Sequence, residues 1–266
     1  MVRSFISQKI LFLKSLIPFA KNDFRRRYAG TNLGIAWAYI QILSMVLVYW
    51  FVFQFGLKTS MVQNVPFLPW FISGYMPWML FSECIVTCMG CMMEYNYIVK
   101  KVLFNIDIIP AAKIAVSSFI HSFFLITVII IAILHGFYPG VYFLQLFYYV
   151  IALYALVIPL GYLVCTISVF FKDFGQIVTI ILNIMMWATP ILWDYHALEG
   201  NMIVYILKII NPMFYVVCGF RESILFRVGL LEHFKQGIWF WFTVLVLWKV
   251  CFRVYRRLVP QIADVM

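Results

Sequence analysis

Few side chains in this sequence could do covalent or metal chemistry, and their spacing says what kind. Cys84, Cys88 and Cys91 follow a C-x3-C-x2-C pattern, which in an exposed loop can hold an iron–sulfur cluster. Here they fall within the apolar run 68–93, where spacings of four and three place them along one helix face. With no counter-charge beside them, they read as small residues for close helix packing, and no metal site is expected. Glu83 is the one acid well inside an apolar stretch. A carboxylate at bilayer depth costs on the order of 2.5–3.5 kcal/mol on insertion scales, so it faces a bundle interior or polar cavity, or carries a proton. His121 is its single candidate relay partner, while His135, His196 and His233 are dispersed. The sequence has no H-E-x-x-H, no nucleophile elbow and no G-x-x-x-x-G-K-[ST] phosphate loop. Catalysis is not expected in this chain.

The elements that hold these residues belong to a membrane protein. Of 266 residues, 65% are hydrophobic and 11% charged, with a mean hydropathy of +0.97. Soluble chains are about 45–50% apolar and about 25% charged, so the solvent of this chain is largely lipid. The expectation is an all-α polytopic fold forming a single transmembrane domain. Six spans are predicted at 33–56, 68–93, 114–134, 141–171, 174–193 and 233–252. The fourth is too long for a simple crossing and carries Pro159-Leu160-Gly161, which points to tilt or a kink. Residues 201–228 are apolar but divided by Asn211-Pro212, and they carry Arg221, Glu222 and Arg227. They read as a re-entrant pair of short helices before the last span.

Residues 4–27 read as an amphipathic interface helix. Ile6, Ile10, Leu13, Ile17, Ala20 and Phe24 share one face, and Ser7, Lys14, Lys21 and Arg25 the other, with Pro18 expected to break or kink it. The segment 94–113 has helical character and exceeds what joining two antiparallel helices requires. It is either a docking helix for a partner or a solvated connector. The net charge of +10 could suggest nucleic acid, but the charges flank apolar runs. With six spans and the N-terminus inside, fifteen basic residues lie on the inner side and five on the outer, which places both termini in the cytoplasm. The N-terminus does not read as a signal peptide, since Lys9, Lys14 and Lys21 interrupt its apolar stretch. Aromatics make up 20% of the chain and gather toward the outer halves of the first, second and fifth spans, among them Trp50, Phe53, Trp70, Tyr75, Trp78 and Trp187. They form either an interfacial belt or a surface on which sugar rings stack.

Several segments, in order, resemble the permease subunits of ABC type 2 exporters, especially those for O-antigen polysaccharide. They are Asp23-Phe24-Arg25-Arg26-Arg27-Tyr28-Ala29-Gly30-Thr31-Asn32-Leu33-Gly34-Ile35-Ala36-Trp37, then Phe170-Phe171-Lys172-Asp173-Phe174 (where the family more often carries Arg in place of Lys172), then Thr189-Pro190-Ile191. Asn211-Pro212-Met213, Phe220-Arg221-Glu222 and Leu258-Val259-Pro260-Gln261-Ile262-Ala263-Asp264 complete the set. The resemblance implies a homodimer in the bacterial inner membrane, bound to two copies of a cytoplasmic P-loop ATPase. ATP and magnesium would belong to that ATPase, with no cofactor in this chain. Tyr97, Lys100 and Lys101 would lie on the coupling helix, and Asn211, Pro212, Arg221 and Glu222 on gate helices. The six aromatics above would be candidates for the channel wall. Arg25, Arg26 and Arg27 would attract the diphosphate of an undecaprenyl-diphosphate-linked glycan from among the membrane lipids. The nearest alternatives are the same fold exporting teichoic acid, capsule or a small molecule. A proton-coupled transporter built on Glu83 and a membrane transferase are the alternatives from other classes.

Overall fold

The computed structural model describes residues 2–100, 105–198 and 200–265. Eleven helices account for most of them. Helix α1 (Val2–Tyr28) is followed by α2 (Ala36–Phe51), which runs into a π-turn at Val52–Gly56. A minimal hairpin pairs β1 (Met61–Val62) with β2 (Val65–Pro66), with Gln63 and Asn64 both at positive φ, the geometry a two-residue hairpin turn demands. Helix α3 (Phe67–Met89) leads to two short helices, α4 (Cys91–Glu94) and α5 (Asn96–Val99). Then come α6 (Ile108–Leu134), α7 (Gln145–Phe170), α8 (Phe174–Ala188), α9 (Met202–Ile210), α10 (Pro212–Arg221) and α11 (Phe234–Val265).

Helix α3 is the hub. It packs against α6, α7 and α10, while α11 lies along α7 and α1 along α6. Small residues let these helices approach. A Cβ on Gly161 of α7 would come 3.1 Å from Cys88 Sγ, and one on Gly219 of α10 would overlap the Tyr149 ring. Cys84, Cys88 and Cys91 are wholly buried at these contacts, and among the described residues no group of three His, Cys, Asp or Glu side chains could hold a metal.

By length and apolarity four helices can each cross a membrane: Ala36–Gly56, Ile108–Leu134, Val141–Phe170 and Leu230–Ile262. Met202–Ile210 and Pro212–Phe226 qualify together but meet at a bend of 99°. The chain is thus an all-α, multi-pass membrane protein. Two predicted spans look different from their sequence outline. Helix α3 is long enough, but Ser73, Gly74, Pro77, Ser82 and Glu83 dilute its apolar character. Helix α8 ends at Ala188 rather than at 193, because Thr189 precedes Pro190 and takes an extended conformation (φ −90°, ψ 139°).

Prolines inside helices prove less disruptive than their reputation. Of the break or kink expected at Pro18, the break does not occur: α1 runs unbroken through it, since an interior proline removes one hydrogen bond and the rest of the ladder holds. Helix α7 likewise continues through Pro159. Pro159 cannot donate to the Ala155 carbonyl one turn earlier, and the Trp248 indole of α11 donates to it instead at 2.7 Å. The face of α1 also differs from expectation. Phe19, Ala20 and Phe24 pack on the core and Asp23 is buried, whereas Leu13 and Ile17 are exposed. The apolar period therefore divides between the protein and its surroundings. In the segment 94–113, residues 101–104 lie outside the described residues; those before them form short helices and those from Ile108 the first turns of α6, with Pro110 in the opening turn, where a proline is tolerated.

Candidate functional site

Two polar centres stand out in an otherwise apolar molecule. The first lies where the end of α1 meets α3, α4 and α6. Arg27 Nη1 is 2.8 Å from Glu83 Oε1, Ser117 Oγ donates to the same oxygen at 3.2 Å, and His121 Nε2 lies 3.7 Å from the other. His121 Nδ1 donates to the Ser117 carbonyl at 3.0 Å. The acid inside the second apolar run is therefore ion-paired to the interface helix. Beside it, Lys113 Nζ reaches Asp23 at 2.7 Å and Glu94 at 2.7 Å, and the Tyr95 hydroxyl donates to Asp23. Burial, and then the Asp23 carboxylate, raise the Tyr95 phenol above its ordinary pKa, so it remains a donor at physiological pH. The Arg26 guanidinium lies 5.3 Å over the Tyr95 ring.

These groups border an open cavity of about 550 Å³ lined by Asp23, Arg26, Arg27, Thr87, Glu94 and Lys113. Of the three arginines in the run, Arg27 is committed to Glu83. Arg25 and Arg26 are exposed, and among the described residues neither forms an ion pair. Tyr97 and Lys100 are exposed at α5, and Lys101 lies outside the described residues.

The second centre is the bend between α9 and α10. Asn211 caps α10, its Oδ1 accepting from the Met213 N–H at 3.0 Å while its Nδ2 donates to Thr189 Oγ1 at 2.7 Å. Pro212 takes the first position of α10, where its missing N–H costs nothing. Arg221 is buried, its Cζ 3.8 Å from the Trp70 ring centroid. Its Nε donates to the Trp70 carbonyl at 3.2 Å and its Nη2 to the Ile191 carbonyl at 3.3 Å. Gly74 makes room for it, since a Cβ there would stand 2.5 Å from Nη2. Glu222 takes other partners: the Tyr195 hydroxyl donates to it at 3.4 Å, and His233 Nε2 lies 3.1 Å away.

The aromatic candidates separate. Trp70, Tyr75 and Trp78 are buried within this chain and pack its core, because α3 is enclosed by its neighbours. Phe53 stacks on Phe67 at 5.0 Å, and Trp50 meets Phe55 edge-on at 5.5 Å. Trp187 is open, 61% exposed. Sequence reasoning missed Asp23, Glu94, Tyr95 and Lys113 as a cluster. The signal available was Asp23, an acid placed just before a run of arginines on a basic helix.

A family profile for ABC-2 type transporters matches residues 17–225. This chain belongs to the ABC-2 type transporter family. Such permeases are membrane channel subunits that work with an ATPase subunit, and the matched region runs from within α1 through α10, taking in the first polar centre and all of the second except His233. The O-antigen export system permease protein RfbA of Klebsiella pneumoniae is 23% identical over 257 residues, 94% of each chain. A second protein of that name from the same organism is 24% identical over 256 residues, again 94% of each. The Myxococcus xanthus RfbA is 22% identical over 207 residues, 77% of this ABC-2 chain and 78% of the relative.

Proposed function

We propose that this ABC-2 permease exports a lipid-linked polysaccharide of the O-antigen kind across the bacterial inner membrane, driven by ATP hydrolysed on a separate subunit. The observation that carries the reading is the full-length similarity to permeases named for O-antigen export, 94% of each chain in two cases. The working unit is a homodimer with two copies of the ATPase. In support, only 11% of the apolar stretch of α2 is buried within its own chain, which leaves a helix face for a second copy. Six crossings (α2, α3, α6, α7, α8 and α11), with α9 and α10 dipping in and returning, put both termini on the cytoplasmic side that charge counting favours.

In this arrangement α4, α5 and the end of α1 face the ATPase, and movement imposed on Tyr97 and Lys100 reaches the membrane through the Lys113–Asp23–Tyr95 cluster. A hydrophilic polymer needs a continuous lumen between subunits, while its undecaprenyl anchor stays in lipid. Arg25 and Arg26, exposed and free of carboxylate partners among the described residues, offer charge to the anchor's diphosphate. Asn211, Pro212, Arg221 and Glu222 hold the bend that gates the far side. The test is the pair Arg25→Gln and Arg26→Gln, which leaves the Arg27–Glu83 ion pair in place. Assembly with the ATPase should persist while export of the glycolipid in membrane vesicles collapses. Normal export by that variant would remove the phosphate-guiding role.

A further inference from the structure

A groove of about 300 Å³ runs between α1, α7 and α11, away from both polar centres. Its walls are apolar: Phe12 from α1, Ile158 and Pro159 from α7, and Trp248, Cys251 and Phe252 from α11. The proline in α7 and the indole that answers it both line the groove, with Trp248 held against the Ala155 carbonyl. At roughly 30 Å³ per carbon, the share of a water-sized group, this space takes on the order of ten chain carbons. That suits part of one acyl chain.

One end of the groove is polar in a particular way. The Asp107 carboxylate lines it, with one oxygen accepting from the Tyr255 hydroxyl at 2.5 Å, while the Asp107 backbone carbonyl accepts from Tyr162 at 2.7 Å. Among the described residues Asp107 has no cationic partner within ion-pair distance. Arg256, which follows Tyr255 in the chain but does not itself line the groove, places its Cζ 4.3 Å over the ring of Phe252, a wall residue. A carboxylate with no cationic partner among the described residues lines an acyl-sized slot, and an exposed guanidinium stacks on one of its wall residues.

We infer that this groove binds a zwitterionic phospholipid with a primary-ammonium headgroup. One acyl chain lies along Ile158, Trp248 and Phe252, the ammonium donates to Asp107, and the phosphate pairs with Arg256. A lipid with an uncharged or anionic terminal group would leave the Asp107 carboxylate unpaired or repelled, so the site discriminates by headgroup rather than by chain. It involves neither the cargo nor ATP and stands apart from the export reading.

The experiment uses the permease–ATPase complex, delipidated in mild detergent and titrated with phosphatidylethanolamine or phosphatidylglycerol of identical chains, with bound lipid read by native mass spectrometry. The complex should retain phosphatidylethanolamine with about tenfold preference, the size expected for a charge-assisted hydrogen bond. Asp107→Asn still accepts from Tyr255 and so keeps the local fold, and it should lose that preference. Ile158→Phe, which fills the slot, should lose retention altogether. Equal retention of the two lipids by the unaltered complex, an unchanged preference in Asp107→Asn, or full retention by Ile158→Phe would each overturn the assignment.

Discussion

Glu83 sits where an acid is costly, and its neighbours show how that cost is met. It takes a guanidinium from Arg27, a hydroxyl from Ser117 and a nearby imidazole from His121. The carboxylate is 19% exposed and Arg27 is 37% exposed, so the pair contributes about 1 kcal/mol or less. Glu83→Gln should therefore leave transport dependent on ATP and unaffected by collapsing the proton gradient, as measured in vesicles with and without an uncoupler. Loss of transport in that variant, or sensitivity to the uncoupler, would restore Glu83 as a proton site. Arg221 makes the opposite case. Its stacking on Trp70 and its two bonds to carbonyls need a flat, forked donor, which lysine cannot supply. Arg221→Lys and Gly74→Ala, the latter crowding the same guanidinium, should each destabilise the chain by about 1–3 kcal/mol. Thermal unfolding in detergent would show it as a lowered midpoint.

At the scale of elements, the junction of α7 and α11 depends on a substitution of one donor for another. Trp248→Phe should orphan the Ala155 carbonyl at a cost of about 1–3 kcal/mol. Pro159→Ala returns a backbone N–H to that carbonyl, so the double variant should lose less than the sum of the singles, the signature of coupled residues. Asn211→Ala removes both the α10 cap and the tie to Thr189, which is worth about 1 kcal/mol for the cap alone. Long apolar runs made most helices legible in the sequence, and Asn211-Pro212 marked the bend correctly. The end of α8 was written in Thr189-Pro190 but masked by the apolar residues beyond it. The buried face of α1 was not legible from hydropathy, because part of what it buries is Asp23, satisfied by Lys113 ninety residues away. The burial of Trp70, Tyr75 and Trp78 was illegible for a related reason: ring content cannot say whether α3 is a wall or a hub.

At the scale of the molecule, the exposed faces of α2 and α8 are where a second copy should lie. Leu47 and Ile180 are exposed on them, and all six native cysteines are buried, so engineered thiols will report cleanly. Leu47→Cys or Ile180→Cys should give a disulfide-linked dimer on mild oxidation of membranes, while Leu245→Cys on α11 should not. A monomeric product from both α2 and α8 positions would remove the dimer as placed.

Helix α2 precedes every other long apolar helix in the chain and rests only lightly on the later ones. In the proposed dimer, a freshly inserted subunit would carry an orphan span until its counterpart arrives. Membrane proteases that extract poorly seated helices would find their handle there. Subunit lifetime in the cell would then track the supply of assembly partners, so that unpaired copies are cleared before an incomplete pore can leak.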